Sequence, residues 1–180
     1  MCLKLALLIT TLAFLLTAVA CKENKTTQTA NTADTSRPAA SKTPGPLPDR
    51  AFRALLAFKD VPAKLRTGQK ETVVIRVKNA SDVFWWARGG EINNNSGNQF
   101  YIAVGDAWLQ EDGTLVTNMD GRMGVGKDLR PGEEVEVPLI ITAPTTPGNY
   151  ILEVDLVQEQ VAWFHEKGSP TVRTNVTVVR

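Results

Sequence analysis

Three segments of the chain alternate apolar and polar residues, and this pattern constrains the fold more than any other feature of the sequence. In Thr72–Lys78, three apolar residues occupy every second position. The same period of two runs through Glu134–Thr142 and Val172–Val178. Successive side chains of a β-strand point to opposite faces of a sheet. The alternation therefore predicts strands that are buried on one face only.

Shorter segments add strand candidates, and turn-forming residues separate them. The additional candidates are Phe52–Phe58, Val83–Arg88, Gln99–Val104, Tyr150–Val157 and Val161–Phe164. Turn-forming Gly, Pro, Asn and Asp residues lie between these segments. After the N-terminal segment, the sequence has no long stretch in which apolar residues recur with the 3.6-residue period of a helix. We therefore predict an all-β sandwich or barrel over residues 50–180. Pro138 lacks a backbone N–H, so its strand is expected at a sheet edge or with that nitrogen facing outward.

The first 20 residues have the organisation of an export signal. Lys4 supplies a positive charge, and the largely apolar run Leu5–Leu16 is too short for an ordinary membrane-spanning helix. The run ends in Ala18-Val19-Ala20-Cys21, which resembles the lipobox of bacterial lipoproteins. In that family a diacylglycerol is joined to the cysteine thiol and the chain is cut just before it. Leucine is commonest in the family where Ala18 stands. The alternative is a plain signal peptide, with Cys21 left as a thiol.

By this resemblance, residues 1–20 are the signal peptide and Cys21 is the lipid attachment site, whose acyl chains hold the protein in the membrane. Residues 21–49 form the lipidated cysteine and a flexible tether, since they are polar and have no apolar cluster to bury. Lys22 follows the cysteine, where aspartate signals retention in the inner membrane of diderm bacteria. The expected location is the cell envelope, on the outer membrane facing the periplasm if the host is diderm.

The second half of the chain carries a further resemblance, in a series of turn and aromatic motifs. These are Pro131-Gly132-Glu133, Ala143-Pro144, Pro147-Gly148-x-Tyr150 and Val161-Ala162-Trp163-Phe164, with Asn79 before Trp85-Trp86 and Ala107-Trp108-Leu109 upstream. The set resembles the immunoglobulin-like accessory domain of bacterial glycosyltransferases and methyltransferases, and distantly the four-tryptophan domain of autophagy receptors. The resemblance implies an immunoglobulin-like sandwich of about seven to nine antiparallel strands. It also implies a buried strand tryptophan at 85 or 86, and a tyrosine corner at Tyr150 with Leu152 in place of the usual cysteine.

Composition excludes several functional classes. The 20 basic and 19 acidic residues nearly cancel, so a nucleic-acid partner is not expected. The only cysteines are Cys2 and Cys21, and His165 is the only histidine. The domain therefore has no disulfide, and we expect no metal site, no cofactor and no catalytic triad. A Ca²⁺ site around Asp106, Asp112 or Asp120 stays open as an alternative, although the spacing is not that of an EF-hand.

Two other motifs have structural interpretations. The run Gly121–Lys127 fits G-x-x-x-x-G-K, but Asp128 follows where a phosphate-binding loop needs Ser or Thr. We interpret its glycines as part of a loop between strands. The paired carboxylates, Glu133-Glu134, Glu111-Asp112 and Glu153 with Asp155, are interpreted as solvated surface groups in turns or on outward strand faces.

The aromatic residues are the strongest functional lead, because an exposed tryptophan stacks on a sugar or anchors a peptide. The ligand-binding candidates are Trp85, Trp86, Trp108 and Trp163. The leading hypothesis is a non-enzymatic, membrane-anchored binding or scaffolding module that recognises a protein or a glycan. The alternative resembles a family of bacterial proteinase inhibitors and presents a loop, with Arg122 as its anchor. A hydrolytic enzyme is disfavoured unless a deep pocket gathers titratable groups.

The lipobox interpretation predicts that Cys21→Ser abolishes metabolic labelling with a radioactive fatty acid, because serine has no thiol to acylate. The variant is expected to leave the membrane fraction or to accumulate as an unprocessed precursor. Cys2→Ser is the matched control and should label normally. Undiminished acylation of the Cys21→Ser variant would refute the interpretation.

Overall fold

A computed structural model of the chain describes residues 45–87 and 99–180. The signal peptide, Cys21, the tether up to residue 44, Arg88 and the polar run 93–98 lie outside the described residues. Nine strands are present in the described part: Ala54–Asp60 (β1), Lys64–Arg66 (β2), Lys70–Asn79 (β3), Ile102–Leu109 (β4), Leu115–Gly124 (β5), Glu134–Thr142 (β6), Gly148–Gln158 (β7), Ala162–Trp163 (β8) and Val172–Val179 (β9). Short 3-10 helices occupy Asp49–Ala51 and His165–Lys167. No helix in this part of the chain combines the length and apolarity needed to cross a membrane.

The strands form two sheets packed as a β-sandwich, which confirms the predicted fold class. The smaller sheet has the order β1-β3-β6. The larger sheet has the order β2-β9-β7-β4-β5, with β8 paired to β7 beside this path. One pairing departs from the all-antiparallel expectation, since β2 runs parallel to β9. The 3-residue strand β2 has no alternating pattern long enough to be recognised in the sequence.

Alternating side chains of both sheets build the core. Val73, Ile75 and Val77 of β3 are fully buried, as the period of two predicts. The core-facing residues of β7 are Leu152, Val154 and Leu156, which are also fully buried. Because opposite faces alternate, the residues between them in β7 lie on the outer surface of the larger sheet.

The interpretation of the glycine-rich run as a loop was partly wrong, because its first four residues end strand β5, whereas Gly126 lies in a loop as expected. Gly121 is required there by close packing. A Cβ at position 121 would lie 2.3 Å from the Ile140 carbonyl oxygen and 2.6 Å from Oδ1 of Asp106. The Val83–Arg88 candidate does not form a strand over its described residues, which make only isolated bridges, from Trp85 to Leu129 and from Ala87 to Ile102.

Pro138 lies in β6, which is an edge strand of the smaller sheet. The edge prediction is therefore confirmed. A proline at this position removes no hydrogen bond that a further neighbouring strand would need.

Asn79 is a fully buried hydrogen-bonding centre at the end of β3. Its Nδ2 donates to the carbonyl oxygens of Val83 (2.8 Å) and Leu129 (3.0 Å). Its Oδ1 accepts from the backbone N–H (3.0 Å) and the hydroxyl (2.7 Å) of Ser81. A buried amide is tolerated only when such partners are present. Asn79 thus fixes the turn that leads into Trp85.

Two aromatic expectations are confirmed, the burial of Trp85 and the tyrosine corner at Tyr150. Trp85 is 1% exposed, and its Nε1 donates to the Ala51 carbonyl oxygen at 3.0 Å. The Tyr150 hydroxyl donates to the carbonyl oxygen of Thr146 at 2.9 Å, which is the hydrogen bond of a tyrosine corner. Leu152 is buried two residues after this tyrosine.

Residues before position 50 contact the domain. The Leu47 backbone N–H donates to Oε1 of Gln158, and Nε2 of Gln158 donates to the Gly45 carbonyl oxygen, both at 2.8 Å. Leu47 also packs against the main core. Gln158 is 1% exposed, so these contacts satisfy polar atoms that water does not reach.

The neighbours Trp85 and Trp86 are predicted to differ sharply on truncation. Trp85→Ala should lower the free energy of unfolding by about 3–5 kcal/mol, because it leaves a large cavity in the core. Trp86 is half-buried, so Trp86→Ala should cost much less. Chemical denaturation of both variants measures the difference. Equal, large losses would mean that both rings are packed to the same extent.

Candidate functional site

A pocket of about 560 Å³ lies over the outer face of the larger sheet, and it is the candidate functional site. We call it the outer-face pocket. Its lining residues are Gly105, Asp106, Ala107, Glu153, Asp155, Trp163, His165, Glu166, Ser169, Thr171 and Arg173. The strand register brings these residues together, since residues directly opposite in an antiparallel pair share a face. Gly105 lies opposite Asp155, and Glu153 lies opposite both Ala107 and Arg173.

Trp163 forms an aromatic wall of the outer-face pocket. Its side chain packs on the outer face against Ala103 and Val157. The edge of its six-membered ring lies directly above Gly105, where an added Cβ would be 2.8 Å from Cη2 of the indole. A side chain at position 105 would therefore displace the ring.

Two neighbours hold the segment that carries Trp163. The next residue, Phe164, points into the core and packs against the rings of Phe52 and Trp85. The ring centroids are 4.9 Å apart for Phe52 and 5.2 Å apart for Trp85. The guanidinium of Arg122 lies 4.9 Å from the Trp163 ring centroid and forms an ion pair with Glu159 at 2.7 Å. Arg122 is therefore a packed strand residue, and the hypothesis that it anchors an inhibitory loop was wrong.

The Glu153 side chain lines the outer-face pocket, and its carboxylate is hydrogen-bonded to neighbouring side chains. Its Oε1 accepts hydrogen bonds from the Thr171 hydroxyl at 2.6 Å and from Nε of Arg173 at 3.0 Å. The side chain is only 16% exposed. Such charge-assisted bonds fix the orientation of the carboxylate.

Asp155 and His165 form a second polar pair. Oδ2 of Asp155 is 2.7 Å from Nδ1 of His165 and also accepts the His165 backbone N–H at 3.2 Å. Its Oδ1 is buried and has no hydrogen-bond partner among the described residues. Burial raises the pKa of Asp155, and the hydrogen bonds from His165 oppose that shift. The pair fastens the short helix His165–Lys167 to strand β7.

Asp106 borders the pocket but occupies the opposite face of its strand. It lies opposite the core residue Val154, and its Oδ1 accepts the Gly121 backbone N–H at 2.7 Å. Burial, with a further contribution from the Asp120 carboxylate, raises the pKa of Asp106 to about 8. Asp106 is therefore mainly protonated at neutral pH and contributes little negative charge to the pocket.

The four tryptophan candidates separate into two classes. Trp85 and Trp108 are core side chains, 1% and 0% exposed, and present no surface to a ligand. Trp86 is half-buried and packs edge-on against Phe84, with ring centroids 5.1 Å apart. Trp163 is the candidate that lines the outer-face pocket.

The interpretation of the paired carboxylates was partly wrong. Glu111, Asp112, Glu133 and Glu134 are exposed, as expected. Asp155 is buried and Glu153 is engaged in the pocket. The sequence feature that could have indicated this site is the pair of acidic residues two positions apart on one strand face, close in sequence to Trp163.

The open alternative of a Ca²⁺ site gains no support. Asp112 is exposed and accepts the backbone N–H of Thr114, which lowers the pKa of Asp112. It takes no part in the cluster of Asp106 and Asp120. No group of three or more potential metal-ligating side chains occurs within residues 45–87 and 99–180.

Comparison with known proteins gives only distant likenesses. No family model and no curated protein sequence matches the chain. Among solved structures, a CARDB domain from Pyrococcus furiosus in complex with di-metal ions is 18% identical with a TM-score of 0.40, over 71% of this chain and 91% of that one. The sporulation control protein Spo0M from Bacillus subtilis is 14% identical with a TM-score of 0.40, over 71% of this chain and 49% of its own. A beta-glucosidase from Listeria innocua is 17% identical with a TM-score of 0.41, and the match spans 71% of this chain and 16% of the enzyme.

The raised pKa of Asp106 predicts a pH-dependent stability. Its folded-state pKa of about 8 exceeds the ordinary value of 3.8. The contribution of Asp106 to the free energy of unfolding is therefore fully present below about pH 4 and is lost as the pH rises towards about 8. Asp106→Asn removes the titration, so the stability of the variant relative to wild type should grow with pH by at most about 1.4 kcal/mol per pH unit.

Denaturant unfolding between pH 4 and pH 9 measures this difference. Asp120→Asn is the matched control, and it should weaken the pH dependence without abolishing it because burial is the larger cause of the shift. A difference between Asp106→Asn and wild type that does not change with pH would contradict the assignment.

Proposed function

We propose that this chain is a non-enzymatic binding module of the bacterial cell envelope, anchored by acyl chains on Cys21, and that its ligand is a glycan bound in the outer-face pocket. The anchoring part of the proposal rests on the lipobox-like Ala18-Val19-Ala20-Cys21 and the polar segment that follows it. With Lys22 after the cysteine, we place it on the outer membrane, facing the periplasm in a diderm host. A flexible tether of this length spans roughly 30 Å, which lets the domain reach ligands away from the bilayer.

The observation that carries the glycan assignment is the position of Trp163 beside fixed polar groups. A sugar ring presents apolar C–H faces and a rim of hydroxyls. An aromatic ring provides a surface for the apolar C–H faces. Carboxylate, hydroxyl and guanidinium groups form hydrogen bonds with the sugar hydroxyls. Trp163, Glu153, Thr171 and Arg173 supply these groups within one pocket. A volume of about 560 Å³ is in the range of small-ligand sites.

The polar groups are held in place before any ligand arrives. Glu153 is bonded to Thr171 and Arg173, and Asp155 is bonded to His165. Gly105 and the core contacts of Phe164 fix the position of Trp163. Fewer side chains then lose conformational freedom on binding, which favours affinity.

A hydrolytic enzyme is the second candidate function, because the pocket gathers titratable groups. Glu153 and Asp155 stand two positions apart on one face of β7, and glycosidases act through a pair of carboxyl groups. Against this role, the Glu153 carboxylate is engaged by Arg173 at 2.9 Å and Asp155 by His165. The two candidates differ in one measurable property, the release of new reducing ends from a bound oligosaccharide.

The proposal predicts that fragment 45–180 binds members of a panel of neutral and amino oligosaccharides, and that Trp163→Ala weakens binding at least about 10-fold by removing a stacking surface worth more than 1 kcal/mol. Isothermal titration calorimetry measures the affinities. Trp86→Ala is the matched control, since Trp86 is also half-buried but lies outside the pocket.

Thermal unfolding of both variants separates lost binding from lost folding. Binding that Trp163→Ala leaves unchanged would refute the site, and no binding across the panel would refute the glycan assignment. Release of reducing ends would establish the second candidate in place of the first.

A further inference from the structure

The outer-face pocket carries an excess of negative charge. Glu153, Asp155 and Glu166 contribute carboxylates to its lining. Arg173 is the only arginine or lysine among the lining residues, and it is committed to Glu153. His165 compensates a carboxylate only when it is protonated, and its ring nitrogen faces Asp155.

Two of these carboxylates keep unused capacity for a positive partner. Oδ1 of Asp155 is buried without a donor among the described residues, so this oxygen can still accept a hydrogen bond. Glu166 is exposed, and its Oε2 accepts only a backbone bond, from the N–H of Trp163 at 2.9 Å. A neutral backbone amide orients this carboxylate but leaves its negative charge in place.

We infer that the glycan recognised by the outer-face pocket carries a free primary ammonium group, as an amino sugar does. This inference rests on the proposed function and adds the charge of the ligand. The ammonium lies between the carboxylates of Glu166 and Asp155, while the sugar ring lies against Trp163. An ammonium has three donors and no acceptor, which matches oxygens that only accept.

The energetic argument depends on burial. An isolated carboxylate in a poorly solvated site is disfavoured, and an adjacent positive charge removes that penalty. A ligand cation therefore gains from the field of Asp155, whereas an acetylated amino sugar of the same shape does not.

The experiment compares a glucosamine trisaccharide with its fully N-acetylated counterpart on the full chain, by isothermal titration calorimetry at low salt. The two probes share their length and linkage and differ in charge. The trisaccharide with free amines should bind at least about 10-fold more tightly, and added salt should weaken its binding more than that of the acetylated probe. A Lys-containing tripeptide serves as the third probe.

Two isosteric variants test the carboxylates. Glu166→Gln keeps an oxygen that accepts the Trp163 N–H, and Asp155→Asn keeps an acceptor for His165, so each removes mainly charge. Each should reduce the preference for free amines at least about 3-fold. Glu134→Gln removes an exposed carboxylate from the smaller sheet and is the matched control.

The outcomes separate the inference from the function on which it rests. Equal or tighter binding of the acetylated probe would overturn the ammonium inference and leave a glycan site in the pocket. Tighter binding of the tripeptide than of either sugar would overturn the assignment to an amino sugar. A preference for free amines that survives both variants would show that the ammonium lies elsewhere.

Discussion

The burial of alternate side chains between the two sheets is the constraint on which the rest of this structure depends. Once Leu152, Val154 and Leu156 face the core, Glu153 and Asp155 must face outward. The strands on either side then add their own outward residues, Gly105 and Ala107 from β4 and Arg173 from β9. A shift of one residue in any of these strands would exchange its two faces. The hydrophobic core thus determines the composition of the outer-face pocket without contributing a side chain to it.

Buried polar groups have different structural roles in different parts of the domain. Asn79 is satisfied by four hydrogen bonds and fixes a turn. Gln158, at the end of β7, bonds the backbone of Gly45 and Leu47. Asp106 and Asp155 each keep one buried oxygen without a partner in the described part of the chain, and burial raises the pKa of both. Asn79 and Gln158 stabilise the fold, whereas Asp155 leaves a buried oxygen without a donor beside the outer-face pocket.

The fold was largely accessible from the sequence, because a period of two reports directly on which residues are buried. The position of Pro138 at a sheet edge followed from local chemistry, and the tyrosine corner at Tyr150 followed from the family resemblance. The parallel pairing of β2 with β9 and the strand character of Gly121 did not, since both depend on residues distant in the chain. The candidate site was predicted only through Trp163. Its carboxylates looked like surface groups because cross-strand register, which places Arg173 beside Glu153, has no signature in either strand alone.

The contact between Gly105 and Trp163 has a consequence for how this domain diverges in evolution. The indole occupies the volume that any side chain at position 105 would need. A lineage that keeps the aromatic wall must keep the glycine, and a lineage that loses the tryptophan is released from it. The two positions, 58 residues apart in sequence, should therefore covary among homologues even though neither belongs to the core. Their joint presence would distinguish sandwiches that retain the aromatic wall of the outer-face pocket from those that preserve only the scaffold.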